Sequence, residues 1–194
     1  MTDTSPDKKT AILAAALELF ADNGFHCSPV SRLAQLAGVG VGSIYRYFND
    51  KDELIHALYD QVSNSVQEAV NQPCAEVPSL QDQFVDFMVR LLTYLDDHPR
   101  EFRFLEQYYH SPFGIEKKRT ELFAGQVQDF PQPLARIFSG EPAGELKSLP
   151  LPLYHALIFG PVSALLNDSQ AGLISLDQTT MRCLAEGCWK ALQN

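Results

Sequence analysis

Residues 28–54 read SPVSRLAQLAGVGVGSIYRYFNDKDEL. Ser28 and Pro29 have the chemistry of a helix N-cap and first helical residue. Val30, Leu33, Ala34 and Ala37 then form one apolar face at helical spacing, and Gly38 supplies the left-handed backbone on which a helix stops. A second short helix is expected at 41–48, with Ile44 and Phe48 one turn apart and facing inward. The junction, Ala37-Gly38-Val39-Gly40, is tight. Ala34 is small where the two helices must approach, and Val39 fills the corner. Two helices joined in this way make a helix-turn-helix, whose second helix lies in the DNA major groove. An ordinary corner between two helices has the same spacing.

Outward from this stretch the periodicity stays helical. Residues 8–23 place Ile12, Ala15, Ala16, Leu19 and Phe20 on one stripe, and Gly24 ends it. Asp50 is placed to cap a helix that starts at Lys51 and runs to about Gln72, a connector between two parts of the chain. Further helices are expected at 80–97, at 100–110, from 115 to 139 with Pro131 and Pro133 interrupting it, at 153–167 and at 176–192. Ser111 to Gly114 reads as a turn. No alternating run bounded by turn residues marks a strand. The fold class expected is all-α, about nine helices, with a reading head at 1–55 and a helical body at 56–194.

A longer pattern narrows the reading. Phe20, Gly24 and Phe25 are followed by Val30, Leu33-Ala34, Ala37-Gly38-Val39, the run Gly42-Ser43-Ile44-Tyr45-Arg46-Tyr47-Phe48, then Lys51 and Leu54. Over roughly residues 8–58 this resembles the N-terminal domain of TetR/AcrR-type transcriptional regulators. Residues 59–194 are similar to that family only in kind, being helical and of the expected length. The resemblance implies a ligand-responsive DNA-binding regulator, a homodimeric repressor released from a palindromic operator by a small, largely apolar effector. A helical protein-interaction module that keeps the helix-turn-helix shape, or an activator using the same head, stays open as an alternative.

Each position in the run has a physical reason. Ile44 and Phe48 anchor the recognition helix, so Ser43, Tyr45 and Arg46 project away from the anchor. Gly42 lets the backbone approach DNA closely. Arg46 can fork onto guanine O6 and N7 or onto a phosphate. By resemblance, Tyr45 and Tyr47 contact the DNA backbone through their hydroxyls, and Ser28 donates to a phosphate besides capping its helix. Lys51, at a helix N-terminus, and Arg32, on an outer face, are further phosphate candidates. The chain departs from the family pattern at Gly40 and Val41. Gly40 is a weaker cap than Ser or Thr, and Val41 donates no hydrogen bond but can meet a thymine methyl.

Net charge over the 194 residues is −9, which taken alone argues against nucleic acid. Residues 1–55, however, carry five basic and seven acidic side chains, a net of −2, and residues 56–194 a net of −7. Hydrophobic residues make up 45% and charged residues 20%, so a globular chain is expected rather than a disordered one. The start, MTDTSPDKKT, has no apolar signal region, and the most apolar stretch, 149–167, is broken by three prolines, so a cytoplasmic protein with no membrane partner is expected. Cys27, Cys74, Cys183 and Cys188 form no C-x-x-C pair, and no metal, phosphate-loop, dinucleotide or nucleophile motif is present. Neither cofactor nor enzyme activity is expected.

Residues 84–113 carry eight aromatics. They read either as ordinary core or as the wall of an apolar ligand cavity with a few polar handles. The lining candidates are Phe84, Phe87, Met88, Leu91, Phe102, Leu105, Tyr109, Phe123, Tyr154 and Phe159, with Arg103 and His155 among the polar handles. The last two helices are expected to pair between subunits through Leu157, Gly160, Ala164, Leu165, Leu184, Ala185, Cys188 and Trp189, whose small members permit close helix approach. A dimer also follows from recognition itself, since one short helix reads few bases and a palindromic site mirrors a two-fold axis.

Overall fold

The computed structural model describes residues 7–71, 79–116, 134–135 and 145–194. Among these, eight helices are named in chain order: α1 Lys8–Asn23, α2 Val30–Leu36, α3 Val41–Tyr45, α4 Lys51–Val70, α5 Leu80–Asp97, α6 Pro99–Tyr109, α7 Leu151–Gln170 and α8 Gln178–Leu192. The only ladder contact among the described residues is an isolated antiparallel bridge, Leu146 with Gln193. The fold is all-α. Most of the expected Pro-interrupted helix at 115–139, with Phe123, lies outside the described residues, as does Cys74.

The chain divides into two compact units, Met1–Asn64 with Arg100–Gly114, and Ser65–Pro99 with Ile115–Asn194. In the first unit, Ile12, Ala16, Leu19 and Phe20 of α1 pack with Leu33 and Ala34 of α2, Ile44 of α3, Phe48, and Leu54, Ile55, Leu58 and Val62 of α4. The stops fall where backbone chemistry places them: Gly24 and Gly38 both take positive φ, +77° and +64°. Asp50 caps α4 by accepting from the Glu53 N–H at 2.8 Å, and Glu53 reaches back to the Asn49 N–H at 2.7 Å.

Residues 100–114 join this same core. Phe104 and Tyr108 are fully buried in it. Tyr108 stacks on Tyr59 at 4.1 Å between centroids, and Phe25 meets Phe104 and Phe113 edge-on. Arg103 donates to Asp22 at 3.1 Å and Gln107 to the Ala21 carbonyl at 3.2 Å, so α6 is fastened along α1. The expected turn at 111–114 is partly helical, since 112–116 form a helical turn. Ser111 closes α6 by donating to the Tyr108 carbonyl at 2.6 Å.

In the second unit α5, α7 and α8 pack against one another. Ser79 caps α5 and Asp177 caps α8, each accepting an N–H three residues on. Phe84, Phe87, Met88, Leu91 and Leu92 of α5 are buried, as are Ile158, Val162 and Leu166 of α7 and Met181, Ala185, Trp189 and Leu192 of α8. Trp189 lies 5.6 Å from Phe84 between ring centroids.

Two predictions follow from this packing. A Cβ at Gly114 would stand 2.3 Å from the Tyr108 carbonyl oxygen, a backbone atom that cannot swing aside. Gly114→Ala should therefore cost about 2 kcal/mol or more in urea unfolding, at the level of a sterically forced core change. The backbone hydrogen bond from Thr180, followed by its side-chain hydrogen bond, holds the Asp177 carboxyl below the usual carboxylate range. That cap is thus present above the ordinary Asp value and is lost as pH falls through the lowered one. Asp177→Ala should remove this part of the acid sensitivity, measured as the shift of Tm between neutral and acid pH.

Candidate nucleic-acid interface

A five-residue helix has no stability of its own. α3 is held by two side chains. Ile44 and Phe48 are each 2% exposed, both in the core of the first unit. The Phe48 N–H donates to the Ile44 carbonyl at 3.0 Å, which continues the turn past the last assigned residue. The helix is shorter than the expected 41–48, because residues 46–47 close it as a turn rather than a further helical turn. Its start is Gly40, in extended backbone with no side-chain cap.

With Ile44 pointing inward, Val41, Gly42, Tyr45 and Arg46 are exposed, and Ser43 and Tyr47 half-buried. Tyr45 is 51% exposed and Val41 40%, large apolar surface for a monomer to leave in water. Arg46 is exposed and makes no hydrogen bond or ion pair with any described residue. A Cβ on Gly40 or Gly42 would meet nothing within 4 Å, so the surface here is open. Arg32, on the exposed side of α2, donates to Gln35 at 3.0 Å. Together these residues make an exposed surface with two guanidinium groups, two phenols and a small-residue edge.

The structure corrects the expectations for Ser28. It is 1% exposed, and its single hydroxyl proton is donated to the Gly24 carbonyl at 2.6 Å, with the Leu19 carbonyl a second, longer acceptor at 3.3 Å. Pro29 holds the N-cap position of α2, and Ser28 does not cap. Its proton is committed to closing the loop after α1, and its burial keeps it off the exposed face. Lys51 also differs from a free phosphate-facing cation. Its ammonium donates to the carbonyls of Phe25 and Ser28 and lies 5.7 Å from the Phe20 ring centroid. Burial pushes its pKa below the ordinary lysine value, against the opposing effect of Asp52 and Cys27. Lys9 of α1, not among the expected site residues, lies 5.9 Å from the Phe48 ring centroid. The pair Lys8-Lys9 in the sequence was the available signal.

The other two sets of site residues are distributed as follows. Phe84, Phe87, Met88, Leu91 and Tyr154 are buried in the second unit, with His155 and Phe159 half-buried on α7. Phe102, Arg103, Leu105 and Tyr109 belong to the first unit, where Arg103 pairs with Asp22 and Tyr109 meets the Tyr59 hydroxyl at 3.2 Å. On the far side of α7 and α8 an open apolar groove of about 640 Å³ is lined by Leu157, Pro161, Leu165, Leu184, Gly187 and Cys188. Gly160 and Ala164 are exposed on α7. Ala185 and Trp189, expected in an intersubunit contact, are instead interior: both are under 3% exposed, and Trp189 packs on Phe84. Burial also pushes the Cys188 thiol up, away from the reactive thiolate.

Comparison with known proteins agrees with this geometry. Residues 12–58 match the sequence profile of bacterial regulatory proteins of the tetR family, and residues 59–194 match that of a tetracyclin repressor-like C-terminal domain. The fatty acid metabolism regulator protein of Bacillus subtilis is 26% identical, over 93% of this chain and 95% of that one. A TetR family transcription regulator from Marinobacter aquaeolei has the same fold, with a TM-score of 0.81 at 24% identity over 96% of both chains. The fatty acid degradation regulator FadR of Bacillus halodurans superposes with a TM-score of 0.69 at 19% identity, covering 99% of this chain and 97% of that one.

If α3 is the reading helix, Tyr45→Ala combined with Arg46→Ala should weaken specific DNA binding by about a hundredfold or more, two contacts at roughly 1–3 kcal/mol each. Fluorescence anisotropy on a selected duplex measures it, and unchanged circular dichroism shows that the buried anchors still hold the helix.

Proposed function

The chain belongs to the tetR family of bacterial regulatory proteins, and from that premise we propose that it is a cytoplasmic homodimeric repressor released from a palindromic operator by a small, largely apolar effector. The observation that carries the reading is the inverted use of α3: Ile44 and Phe48 inward, Tyr45 and Arg46 outward, with no hydrogen bond or ion pair from the Arg46 guanidinium to any other described residue. Arg46 fits the bidentate fork to guanine or a phosphate oxygen, and Tyr45 a phosphate or a base edge. Ser43 and Val41 lie on the same side, Val41 able to meet a thymine methyl.

The groove on α7 and α8 supports the dimer. It is open and apolar, with Gly187 in its lining and Gly160 and Ala164 exposed on α7, small residues that let helices of a second copy come close. A four-helix contact of this type is isologous, so it sets two copies of α3 about a two-fold axis. The two must then meet major grooves one turn apart, about 34–36 Å. Release needs only an effector that prefers the dimer state whose spacing does not fit. α4 is one continuous helix whose residues fall in both units, which makes it the element to carry such a change.

For the effector, two observations point the same way. The interior of the second unit is aromatic and aliphatic at Phe84, Phe87, Met88 and Leu91, and the Bacillus subtilis relative regulates fatty acid metabolism by name. Fatty acyl compounds are therefore the first class to test.

The experiment isolates bound duplexes from fragmented genomic DNA of the source organism and then titrates fatty acids of increasing chain length against the complex. The reading predicts that affinity for the retrieved duplex falls steeply with salt, with a log–log slope of several units as phosphate contacts require, and that fatty acids of one chain-length range release it. A flat salt response, or enrichment of no duplex, sinks it. The dimer has its own check. Leu184→Glu should convert a sedimenting dimer into monomers and abolish operator binding, while the helical signal of the chain remains.

A further inference from the structure

Trp189 is the sole tryptophan of the chain. It is 2% exposed on the inner face of α8, with its ring tilted against Phe84 of α5 at 5.6 Å between centroids. Its indole Nε1 is buried and has no hydrogen-bond acceptor among the described residues. An indole N–H is a donor only, and a buried one ordinarily finds a partner. Left unmet, it has given up its hydrogen bond to water and gained none in exchange.

Other polar side chains of the second unit do have partners. The Thr93 hydroxyl donates to the Val89 carbonyl at 2.8 Å, Tyr154 to the Lys147 carbonyl, and Ser169 to Asp96 at 3.2 Å. The two buried serines, Ser28 and Ser111, both belong to the first unit. The second unit's interior is hydrocarbon for the most part: Phe84, Met88 and Leu92 of α5 and Ile158 of α7 are each 0% exposed. A buried water is held by about two to four polar groups. An oxygen carried on a hydrocarbon chain is held by burial of the chain and needs only one.

We propose that the Trp189 indole N–H is the polar handle of the effector site, donating to an acyl oxygen at the head of an apolar chain, so that the site selects chains that end in an oxygen acceptor. The inference rests on the effector binding in the interior of the second unit and deepens that reading, because it assigns recognition of the head group to one atom. Apolar sites of this kind fix a ligand's orientation with few polar groups. The shared chemistry is the acyl C=O, which a free carboxylate and a neutral ester or thioester both carry. An ammonium head has donors only, and a bare hydrocarbon has neither donor nor acceptor; both leave the indole N–H unmet.

Because the chain has a single tryptophan, it gives a single indole N–H resonance, and that resonance reads the contact in the unaltered full-length protein. Octanoic, dodecanoic and hexadecanoic acids, their methyl esters and the n-alkanes of the same lengths are each titrated in, with calorimetry for binding and the indole resonance for the contact. An acid or ester that binds should move the resonance downfield, as an N–H moves on gaining an oxygen acceptor, and the alkane should not. Trp189→Phe keeps an aromatic ring beside Phe84 but has no donor. It should weaken the acid or ester about three- to tenfold, the worth of one hydrogen bond, with no loss for the alkane. Binding of the acid alone marks a carboxylate head and binding of the ester a neutral carbonyl; either, with the shift, supports the proposal.

An acid or ester that binds while the indole resonance stays in place overturns the proposal. So does a downfield shift of equal size with the alkane, or a Trp189→Phe protein that binds acid and ester as tightly as wild type. Failure of the underlying reading shows separately: no heat of binding with any of these ligands removes the fatty acyl class, and the proposal with it. If Trp189→Phe does not fold, the resonance of the unaltered protein decides alone.

Discussion

Burial of Ile44 and Phe48 is the contact on which the rest of the molecule's use depends. α3 is too short to persist by its own hydrogen bonds, and its N-terminus has only a glycine cap. It is a helix because two apolar side chains, each 2% exposed, are seated between α1, α2 and α4. At about 25 cal/mol per Å², full burial of a pair of side chains this size is worth roughly 3–6 kcal/mol, which offsets much of the entropy lost in ordering so short a helix. The same anchoring decides which side chains are left for solvent. Tyr45 and Arg46 are outward because Ile44 is inward.

Around that contact the first unit is built as a rigid mount. Gly38 turns the chain between the two helices, Asp50 and Glu53 pin the start of α4, and Lys51 reaches back to the loop ahead of α2. Residues 100–114 complete the mount through Phe104, Tyr108 and Phe113 and through Arg103 and Gln107 along α1. A segment distant in sequence is therefore part of the unit that carries the reading helix. Whatever displaces α6 has a direct mechanical hold on that unit, through aromatic contacts and hydrogen bonds that have few alternative arrangements.

What the sequence revealed divides by range. The helix-turn-helix was legible because its determinants are local: a small residue, a left-handed glycine and two anchors four residues apart. The cap at Asp50 and the stop at Gly24 are equally local. Ser28 was misread because a serine before a proline has the form of a cap, while its real partners, the Leu19 and Gly24 carbonyls, appear only once α1 has turned. Lys51 was read by its place at a helix start, though its partners lie 23 and 26 residues away. The aromatic run at 84–113 looked like one feature and is two: Phe84 and Phe87 serve the second unit, Phe104, Tyr108 and Phe113 the first. α8 is apolar on two faces, and periodicity alone does not say which one meets the core. Met181, Ala185, Trp189 and Leu192 do, leaving Leu184 and Gly187 to the groove.

A head carrying a net of −2 binds DNA only if its few cations stand in the right places, so the central claim is geometric: α3 lies in the major groove, twice, one turn apart. Dimethyl sulfate methylation interference on the selected operator tests this most directly, since guanine N7 faces the major groove and adenine N3 the minor. The account predicts that methylated guanine N7 blocks binding in two windows centred about one helical turn, 10–10.5 base pairs, apart. Interference confined to adenine N3, or spread evenly along the duplex, would contradict it.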